Sequence, residues 1–148
     1  MHAYRLPSES EWEYAARGGK GFSMYPWGGY YTRNDEGVFL ANFKPLRGNY
    51  VEDGGITSMK VGSYDPNNYG IYDMAGNVSE WVLDWYSLNY DSLSLENPKG
   101  PNNGNLSVIR GGSWDSSYID TRTFSRSEYY PGTATNKIGF RCSREANP

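Results

Sequence analysis

The cysteine and histidine content limits the chemistry that this chain could perform. Its single cysteine is Cys142, and its single histidine is His2, at the extreme terminus. One cysteine permits neither an intrachain disulfide nor a Cys-rich zinc site. Catalysis by a Cys–His or Ser–His pair would have to use the terminal His2, because the chain has no other histidine. A His-rich iron or copper site is excluded for the same reason. Because Cys142 lies in an alternating, strand-like pattern, we expect it to be a small buried apolar residue and not a nucleophile.

Arginines are concentrated in the final third of the chain. Four of them are Arg110, Arg122, Arg126 and Arg141. Such side chains could grip an anionic ligand, since the planar guanidinium matches carboxylate and phosphate groups. Arginines more often pair with carboxylates of their own protein or extend over aromatic rings. We expect that structural role here.

The segment from Ser116 to Tyr130 has the composition of a binding surface. It mixes aromatic residues with serine, threonine and aspartate, as adaptable binding loops do. Tyrosine recurs at such surfaces because it offers a large apolar ring and a hydroxyl. We therefore predict that this segment, supported by Trp114, is the ligand face. Its candidate ligand-binding residues are Trp114, Ser116, Tyr118, Thr121, Arg122, Phe124, Arg126, Tyr129 and Tyr130.

Length and composition predict one loop-rich domain, residues 1–148, held together by large aromatic side chains. Aromatic residues make up 16% of the chain, which is unlike a disordered protein, and there are 18 glycines and 8 prolines. The formal net charge is −3 and no basic stripe is visible, so we expect no nucleic-acid partner. No apolar run approaches the roughly 20 residues that span a bilayer, so we expect no membrane span in this chain.

One helix is predicted near the start of the chain. Ser8 is followed three residues later by Glu11, which is the pattern of a capping box. The apolar residues from Trp12 to Ala16 then recur at helical spacing. Gly18 begins a glycine pair, and a left-handed glycine there is expected to end the helix.

Three strands are predicted among irregular loops. From Val78 to Tyr86 the apolar residues alternate, which is typical of a half-buried strand. Two further strands are expected from Val108 to Trp114 and from Ile138 to Ser143. Residues 20–70 are expected to form loops around brief strands, and residues 86–105 a long loop. The residues expected to anchor the core are Trp27, Trp81, Trp85, Trp114 and Phe140.

Several sequence blocks resemble one known protein family. The blocks are Arg-Leu-Pro-Ser-Glu-Ser-Glu-Trp-Glu-Tyr-Ala-Ala-Arg-Gly-Gly at 5–19, Tyr-Pro-Trp-Gly at 25–28, Pro-Asn-Asn-Tyr-Gly at 66–70, Tyr-Asp-Met-Ala-Gly-Asn-Val-Ser-Glu-Trp at 72–81, Asn-Pro-Lys-Gly-Pro at 97–101, Val-Ile-Arg-Gly-Gly-Ser-Trp at 108–114 and Ile-Gly-Phe-Arg-Cys at 138–142. Their types and order resemble the formylglycine-generating-enzyme, or sulfatase-modifying-factor, family. The resemblance implies an α+β, loop-rich, C-type-lectin-like fold, with this chain as the C-terminal part of the family domain, truncated at its N-terminus.

Members of that family have different functions. They are formylglycine-generating oxidases, the sulfoxide-synthase domain of ergothioneine biosynthesis, variable ligand-binding proteins made by diversity-generating retroelements, and gliding-motility and type 9 secretion lipoproteins of Bacteroidota. The stretch from Phe39 to Tyr50 looks most like the last group. Membership alone does not fix a function, because one fold supports unrelated functions.

The resemblance places the family's copper ligands on residues that do not suit copper. The oxidases use two cysteines after the Arg-Gly-Gly-Ser block, and counting from Arg110 the matching places fall near Ser116 and Thr121. Hydroxyls are poor ligands for copper(I), which prefers thiolates, and Cys142 cannot replace the pair alone. Ergothioneine-type chemistry needs iron and histidines, which His2 cannot supply. We expect neither copper nor iron and assign no catalytic residue.

Calcium is the cofactor that the resemblance implies. The matching positions of one family site are Asn42, the carbonyl of Phe43, Asp53 and the carbonyl of Gly55; those of a second are Asp73, the carbonyls of Gly76 and Val78, and Glu80. Calcium takes about six to eight oxygen ligands, and both sets provide suitable oxygens. The alternative is that Asp53 and Asp73 cap turns. Glu80 is harder to explain without a partner, since a carboxylate between apolar strand residues needs one.

Three functions follow from these observations. The leading hypothesis is a non-catalytic, calcium-stabilised module that binds protein or glycan, and its most specific form places the module in a secretion or motility assembly. Its parent protein is then expected outside the cytoplasm, in the periplasm or at the cell surface. One alternative is a formylglycine-type oxidase, or another family enzyme, that depends on something outside this chain. Another is a retroelement-diversified ligand-binding protein, since residues 114–138 have the right place and composition.

Overall fold

The computed structural model describes residues 3–46, 51–89 and 96–145. Within them lie one helix, α1 (Glu9–Arg17), and four strands, β1 (Ser79–Trp85), β2 (Ser107–Arg110), β3 (Arg126–Tyr129) and β4 (Ile138–Phe140). The predicted α+β class is confirmed. Among the described residues, no helix has the length and apolar character needed to cross a bilayer. Some positions considered above lie outside the described residues: His2, residues 47–50 of the Phe39–Tyr50 stretch, and residues 90–95 of the predicted long loop.

Both ends of α1 follow the local sequence. The Ser8 hydroxyl accepts a hydrogen bond from the Glu11 amide, while the Glu11 carboxylate accepts one from the Ser8 amide at 2.8 Å. At the other end Gly18 is left-handed, with φ 55°, and its amide donates to the carbonyl of Ala15. The predicted capping box and glycine stop are therefore confirmed.

The four strands form one sheet in the order β3-β2-β1-β4. β1 and β2 are antiparallel, with Glu80 opposite Arg110, and β2 and β3 are also antiparallel. β4 runs parallel to β1 along its other edge. The sequence did not predict β3, which lies inside the expected ligand segment, because its residues Arg-Ser-Glu-Tyr show no apolar alternation. Pairing with β2 is what makes it a strand.

The core is not built on the aromatic residues that were predicted to anchor it. β1 buries Glu80, Val82 and Asp84, while Trp81 and Trp85 on its other face are only half-buried. Trp27 and Trp114 are also half-buried, and Phe140 is 68% exposed. The carboxylate face is the inner one because α1 packs against it and supplies hydrogen-bond donors. The amide of Glu9 donates to Asp84 at 2.6 Å, and the indole of Trp12 donates to Glu80 at 2.7 Å.

Two apolar clusters fill the interior. The first joins α1 to the sheet through Trp12, Ala16, Met74, Val82 and Val108. The second lies under the irregular loops and contains Phe39, Ala41, Phe43 and Ala75. Since Met74 and Ala75 are consecutive, the loop before β1 connects the two clusters and fixes the loops relative to the sheet.

Candidate functional site

Three loops that are distant in sequence are joined by backbone hydrogen bonds. The amide of Asn77 donates to the carbonyl of Asn42 at 2.8 Å, and the amide of Trp114 donates to the carbonyl of Asn77 at 2.9 Å. The amide of Lys44 donates to the carbonyl of Ser116 at 2.9 Å. We call this unit, residues 41–44, 75–78 and 111–116, the three-loop junction. It carries candidate calcium ligands on one side and the start of the predicted ligand segment on the other.

Gly76 allows two of these loops to approach each other. Its φ is +73°, and a Cβ placed on it would lie 2.1 Å from the carbonyl oxygen of Asn42. No larger residue fits there without moving backbone, since real Cβ atoms do not approach an oxygen so closely. The amide of Gly76 also donates to the carbonyl of Gly111 at 2.8 Å. The glycine therefore sets the spacing of the junction.

The hydroxyls at the two positions that match the oxidases' cysteines are bound within their own loop. The Ser116 hydroxyl accepts from the amide of Ser113 at 2.9 Å and lies 3.1 Å from the Ser113 hydroxyl. The Thr121 side chain is fully buried, and its hydroxyl donates to the carbonyl of Tyr118 at 2.9 Å. Both groups therefore have structural partners.

Cys142 is exposed, so its predicted burial was wrong. The reason is that β4 ends at Phe140, three residues before the predicted end of the strand at Ser143. Pairing resumes only at Ser143, which bridges to Arg5 in an isolated antiparallel contact. The cysteine thus lies beyond the end of β4, between that strand and the contact with Arg5.

The first candidate calcium site contains a buried oxygen without a partner. Asn42 is 1% exposed, and its amide nitrogen donates to the carbonyl of Thr57 at 2.8 Å, but its Oδ1 has no hydrogen-bond partner within the described part of the chain. The Asp53 carboxylate, also buried, accepts from the amides of Phe43 at 2.9 Å and Gly55 at 3.1 Å. Buried acceptors are nearly always satisfied, so the Asn42 oxygen and the nearby carboxylate fit an oxygen-seeking cation such as calcium.

The second candidate site is brought together but already holds a cation of the protein itself. Asp73, Gly76, Val78 and Glu80 all line a cavity of about 610 Å³. However, both oxygens of Glu80 accept from Arg141, at 2.5 and 2.6 Å. The partner that Glu80 needs is therefore supplied by a guanidinium, and its role as a calcium ligand stays a prediction. Among the described residues no three or more His, Cys, Asp and Glu side chains form a metal-binding group, so either site would depend on carbonyl and amide oxygens.

Three of the four clustered arginines have the structural role expected of them. Arg110 pairs with Glu9 at 2.8 Å and with Glu13 at 2.7 Å. Arg126 pairs with the same Glu9 at 2.6 Å, and Arg141 pairs with Glu80. Their carboxylate partners lie far away in sequence, on α1 and β1. In the sequence, these partners are visible only as acidic residues of the predicted helix and of the predicted strand at 78–86.

The predicted ligand segment divides into buried and exposed residues. Thr121 is buried, Tyr118 packs against the second apolar cluster, and Arg126 is bound to Glu9. In contrast, Phe124 is 44% exposed and Tyr130 is 68% exposed. The large apolar side chains that face solvent in this segment are Ile119, Phe124, Tyr129 and Tyr130, and Glu128 is exposed as well. Ile119 was not predicted for the site, because a lone isoleucine among polar residues gives no signal of exposure.

Trp114 and Tyr25 border this surface. The indole of Trp114 donates to the carbonyl of Asn136 at 3.1 Å, and the ammonium of Lys137 lies 5.5 Å from its ring. Tyr25 was also missed as a site residue, although it belongs to the Tyr-Pro-Trp-Gly block. It is buried, and its hydroxyl donates to the carbonyl of Tyr118 at 3.2 Å.

Comparison with known proteins places nearly the whole chain in one family. Residues 1–146 match the family described as the sulfatase-modifying factor enzyme 1-like domain. The formylglycine-generating enzyme of Streptomyces coelicolor is 39% identical over 150 residues, covering 97% of this chain and 47% of that protein. The inactive C-alpha-formylglycine-generating enzyme 2 of Mus musculus is 36% identical over 152 residues, covering 96% and 43%. The serine/threonine-protein kinase pkn1 of Chlamydia pneumoniae is 39% identical over 146 residues, covering 97% and 21%. The chain thus spans less than half the length of each.

Solved structures give the same result for the fold. PvdO from Pseudomonas aeruginosa is similar with a TM-score of 0.81 and 32% identity, covering 98% of this chain and 54% of that one. Treponema denticola variable protein 1 is similar with a TM-score of 0.78 and 33% identity, covering 95% and 47%. The predicted fold class is confirmed by these similarities.

Proposed function

This chain belongs to the sulfatase-modifying factor enzyme 1-like family, and from that premise we propose that it is a non-catalytic member whose segment 116–130 binds a ligand. The observation that carries the proposal is the chemistry at Ser116 and Thr121. Both are hydroxyls with partners inside their own loop. A hydroxyl is a poor substitute for a thiolate toward copper(I), and the single cysteine lies elsewhere, at position 142.

A mass-spectrometric assay tests the absence of oxidase activity. The protein is incubated with copper, a thiol reductant and a Cys-x-Pro-x-Arg peptide, and the peptide is then weighed. We expect no formylglycine above a control without protein. The formylglycine-generating enzyme of Streptomyces coelicolor, run in parallel, verifies that the assay detects the product. A product peak from this chain that exceeds the control would overturn the proposal.

We further propose that calcium stabilises the three-loop junction. The unpartnered Oδ1 of Asn42 and the carboxylate of Asp53 would be its side-chain ligands, with carbonyls of Phe43 and Gly55 as further donors. A bound calcium would supply positive charge to the Asn42 oxygen, which no donor among the described residues satisfies. Asp53 meanwhile holds the amides of Phe43 and Gly55, which fixes the loop that contacts Ser116 through Lys44. The second set, around Asp73 and Glu80, is the alternative site.

The ligand that we propose is a protein or a glycan. Support comes from the exposed aromatic side chains of Phe124, Tyr129 and Tyr130, which are of the type that dominates recognition surfaces. A retroelement-diversified receptor is a second candidate, favoured by the similarity to a protein named variable protein 1. Sequencing the gene from many isolates tests it: substitutions confined to residues 114–138 would support diversification, whereas evenly spread ones would oppose it.

A role in a secretion or motility assembly is the most specific form of this proposal. It is supported by the resemblance of Phe39–Tyr50 to gliding-motility and type 9 secretion lipoproteins, and it implies a periplasmic or surface location for the parent protein. Fractionation of cells that produce the full-length protein tests the location. Recovery in the cytoplasmic fraction alone would contradict it.

A further inference from the structure

Arg122 differs from the other clustered arginines because no carboxylate pairs with it among the described residues. Arg110, Arg126 and Arg141 each bind a glutamate of α1 or β1. The nearest carboxylate in sequence, that of Asp120, is bound instead to the amide and hydroxyl of Ser117 at 3.1 and 2.8 Å. Arg122 therefore retains an uncompensated positive charge, since a guanidinium stays protonated in proteins.

The Arg122 side chain is held in place by aromatic residues. Its guanidinium lies 5.8 Å from the ring of Tyr118 and 6.0 Å from the ring of Phe124. It also reaches Tyr25, where burial raises the pKa of the phenol and hydrogen bonding with Arg122 opposes that rise. Its Nε is buried, with no acceptor in the ranges that the structure describes. The charge is thus presented in a fixed place on a partly apolar surface, which strengthens its attraction for an anion.

We infer that Arg122 is an anion-binding residue of the ligand face and that it binds a carboxylate on an acidic peptide segment of a protein partner. The inference deepens the proposed function and rests on it. Arginine forms two parallel hydrogen bonds to a carboxylate, and its charge makes each of them stronger than a neutral one. The side chain is half-buried, so part of it is accessible to an incoming carboxylate.

The neighbouring side chains favour a peptide over a glycan. Ile119 and Phe124 flank Arg122 in sequence and are 46% and 44% exposed. Tyrosine, phenylalanine and arginine are the residues enriched in protein–protein interfaces. An aliphatic side chain such as isoleucine offers nothing to a sugar hydroxyl, but it can bury an apolar side chain of a peptide. We therefore expect the partner segment to carry an apolar residue beside its aspartate or glutamate.

Selection from a random peptide display library tests this inference on the whole chain. We expect the enriched peptides to share an aspartate or glutamate next to an apolar residue. The best peptide is synthesised and its Kd is measured by fluorescence polarisation. Arg122→Gln should weaken its binding about tenfold or more, and Arg122→Lys should weaken it less because the charge remains. Changing the acidic residue of the peptide to its amide should cause a similar loss, with little further loss when both changes are combined.

Arg144→Gln is the matched control. Arg144 is exposed, lies over the ring of Tyr4 at 6.0 Å, and is outside the ligand segment, so its loss removes the same charge and should leave the Kd unchanged. Melting temperatures of all variants separate lost binding from lost folding, and Arg122→Lys serves as the test if Arg122→Gln is unstable.

Two kinds of result would overturn the inference. If peptides bind and Tyr130→Ala weakens their binding while Arg122→Gln does not, the anion site is refuted but the ligand face is still supported. The anion site is also refuted if the selected peptides bind but show no enrichment of aspartate or glutamate. If an array of acidic and neutral oligosaccharides shows Arg122-dependent capture of acidic sugars and the peptide selection gives nothing, the acidic peptide is refuted. If no ligand depends on any residue of 116–130, the proposed function itself fails.

Discussion

Glu9 and Arg110 form an ion pair at 2.8 Å whose side chains are only 2% and 0% exposed. Arg126 binds the same carboxylate at 2.6 Å. One glutamate in the first turn of α1 therefore connects the helix to two strands, β2 and β3. Desolvation offsets much of the attraction in a buried pair, so we interpret its role as fixing the position of the helix on the sheet.

Removing the carboxylate should destabilise the protein strongly. In Glu9→Gln, Arg110 would remain buried with less compensating charge, and we expect the free energy of unfolding to fall by about 3 kcal/mol or more. Urea unfolding followed by tryptophan fluorescence measures it. The matched control is Glu52→Gln, whose pair with Arg33 is exposed (44% and 39%) and should contribute less than about 1 kcal/mol. Equal losses in the two variants would contradict the assigned role of Glu9.

Gly76→Ala should destabilise the three-loop junction more than its backbone angle alone explains. The added Cβ would meet the carbonyl oxygen of Asn42 at 2.1 Å. Gly29→Ala is a close control, because Gly29 has almost the same φ, +75°, with nothing within 4 Å. The left-handed conformation should cost the control about 1–2 kcal/mol, and the collision should add about 1–3 kcal/mol in Gly76→Ala. Similar unfolding free energies for both would show that the loops move apart easily.

Calcium should raise the melting temperature, and a chelator should lower it. A ligand that binds only the folded state stabilises it by about 2.7 kcal/mol at a hundredfold excess over its Kd. Because Asn42 Oδ1 has no partner while Glu80 is bound to Arg141, we expect Asp53→Asn to abolish most of the response and Glu80→Gln to retain it. The reverse pattern would place the calcium at the Asp73–Glu80 site, and no response in the wild type would refute both sites. Magnesium should substitute poorly, since it demands tighter octahedral geometry.

Acid should weaken the start of α1. The hydrogen bond from Arg5 lowers the pKa of Glu11 from its ordinary 4.5 to about 2, with burial opposing it. A lowered folded-state pKa gives stability that is present above pH 4.5 and is lost as the pH falls toward 2. The side chain is 42% exposed, so solvent limits the effect to less than about 1 kcal/mol.

Thermal melts across this pH range test the linkage. Glu11→Gln should melt lower than wild type near neutral pH, and the difference should shrink as the pH approaches 2. Glu36→Gln, at an exposed loop position with no ion pair among the described residues, should keep the wild-type pH dependence. A difference that does not change with pH would mean that the ion pair with Arg5 contributes nothing to the acid response.

The sequence predicted the parts of the fold that depend on neighbouring residues. The capping box joins Ser8 to Glu11, three positions apart, and Gly18 ends the helix by its own conformational freedom. The alternation in β1 predicted the strand but not which of its faces is buried, because a period of two divides the side chains between two faces without saying which one packs against the core. Hydrogen bonding decided the face: Trp12 and Arg141 satisfy Glu80, and the helix amide satisfies Asp84.

The candidate calcium ligands were predicted only from the family pattern. Asn42 and Asp53 match that pattern, but the contact of Asn42 with Asn77 joins residues whose neighbours give no local signal. β3 was missed for a similar reason, since a short edge strand rich in polar residues is defined by its partner. Arg122 could not be separated from the other arginines, because only the structure shows which of them have carboxylate partners.

Binding and stability should be separable within the ligand segment. Tyr130 is 68% exposed, so Tyr130→Ala should weaken capture of the partner by roughly 1–2 kcal/mol, as truncation of an interface tyrosine often does, while melting stays unchanged. Tyr118 packs on the second apolar cluster, so Tyr118→Ala should lower the melting temperature because it leaves a cavity. Tyr129, on β3 and 41% exposed, should show both effects.

Capture of the selected peptide and thermal melting, measured on the same preparations, distinguish the two roles. Tyr31→Ala serves as the control for surface tyrosines, since Tyr31 is 79% exposed and lies outside the segment. It should alter neither quantity. If Tyr130→Ala lowers the melting temperature and capture falls only in proportion, the exposed ring is structural, and the binding face must lie elsewhere on the molecule.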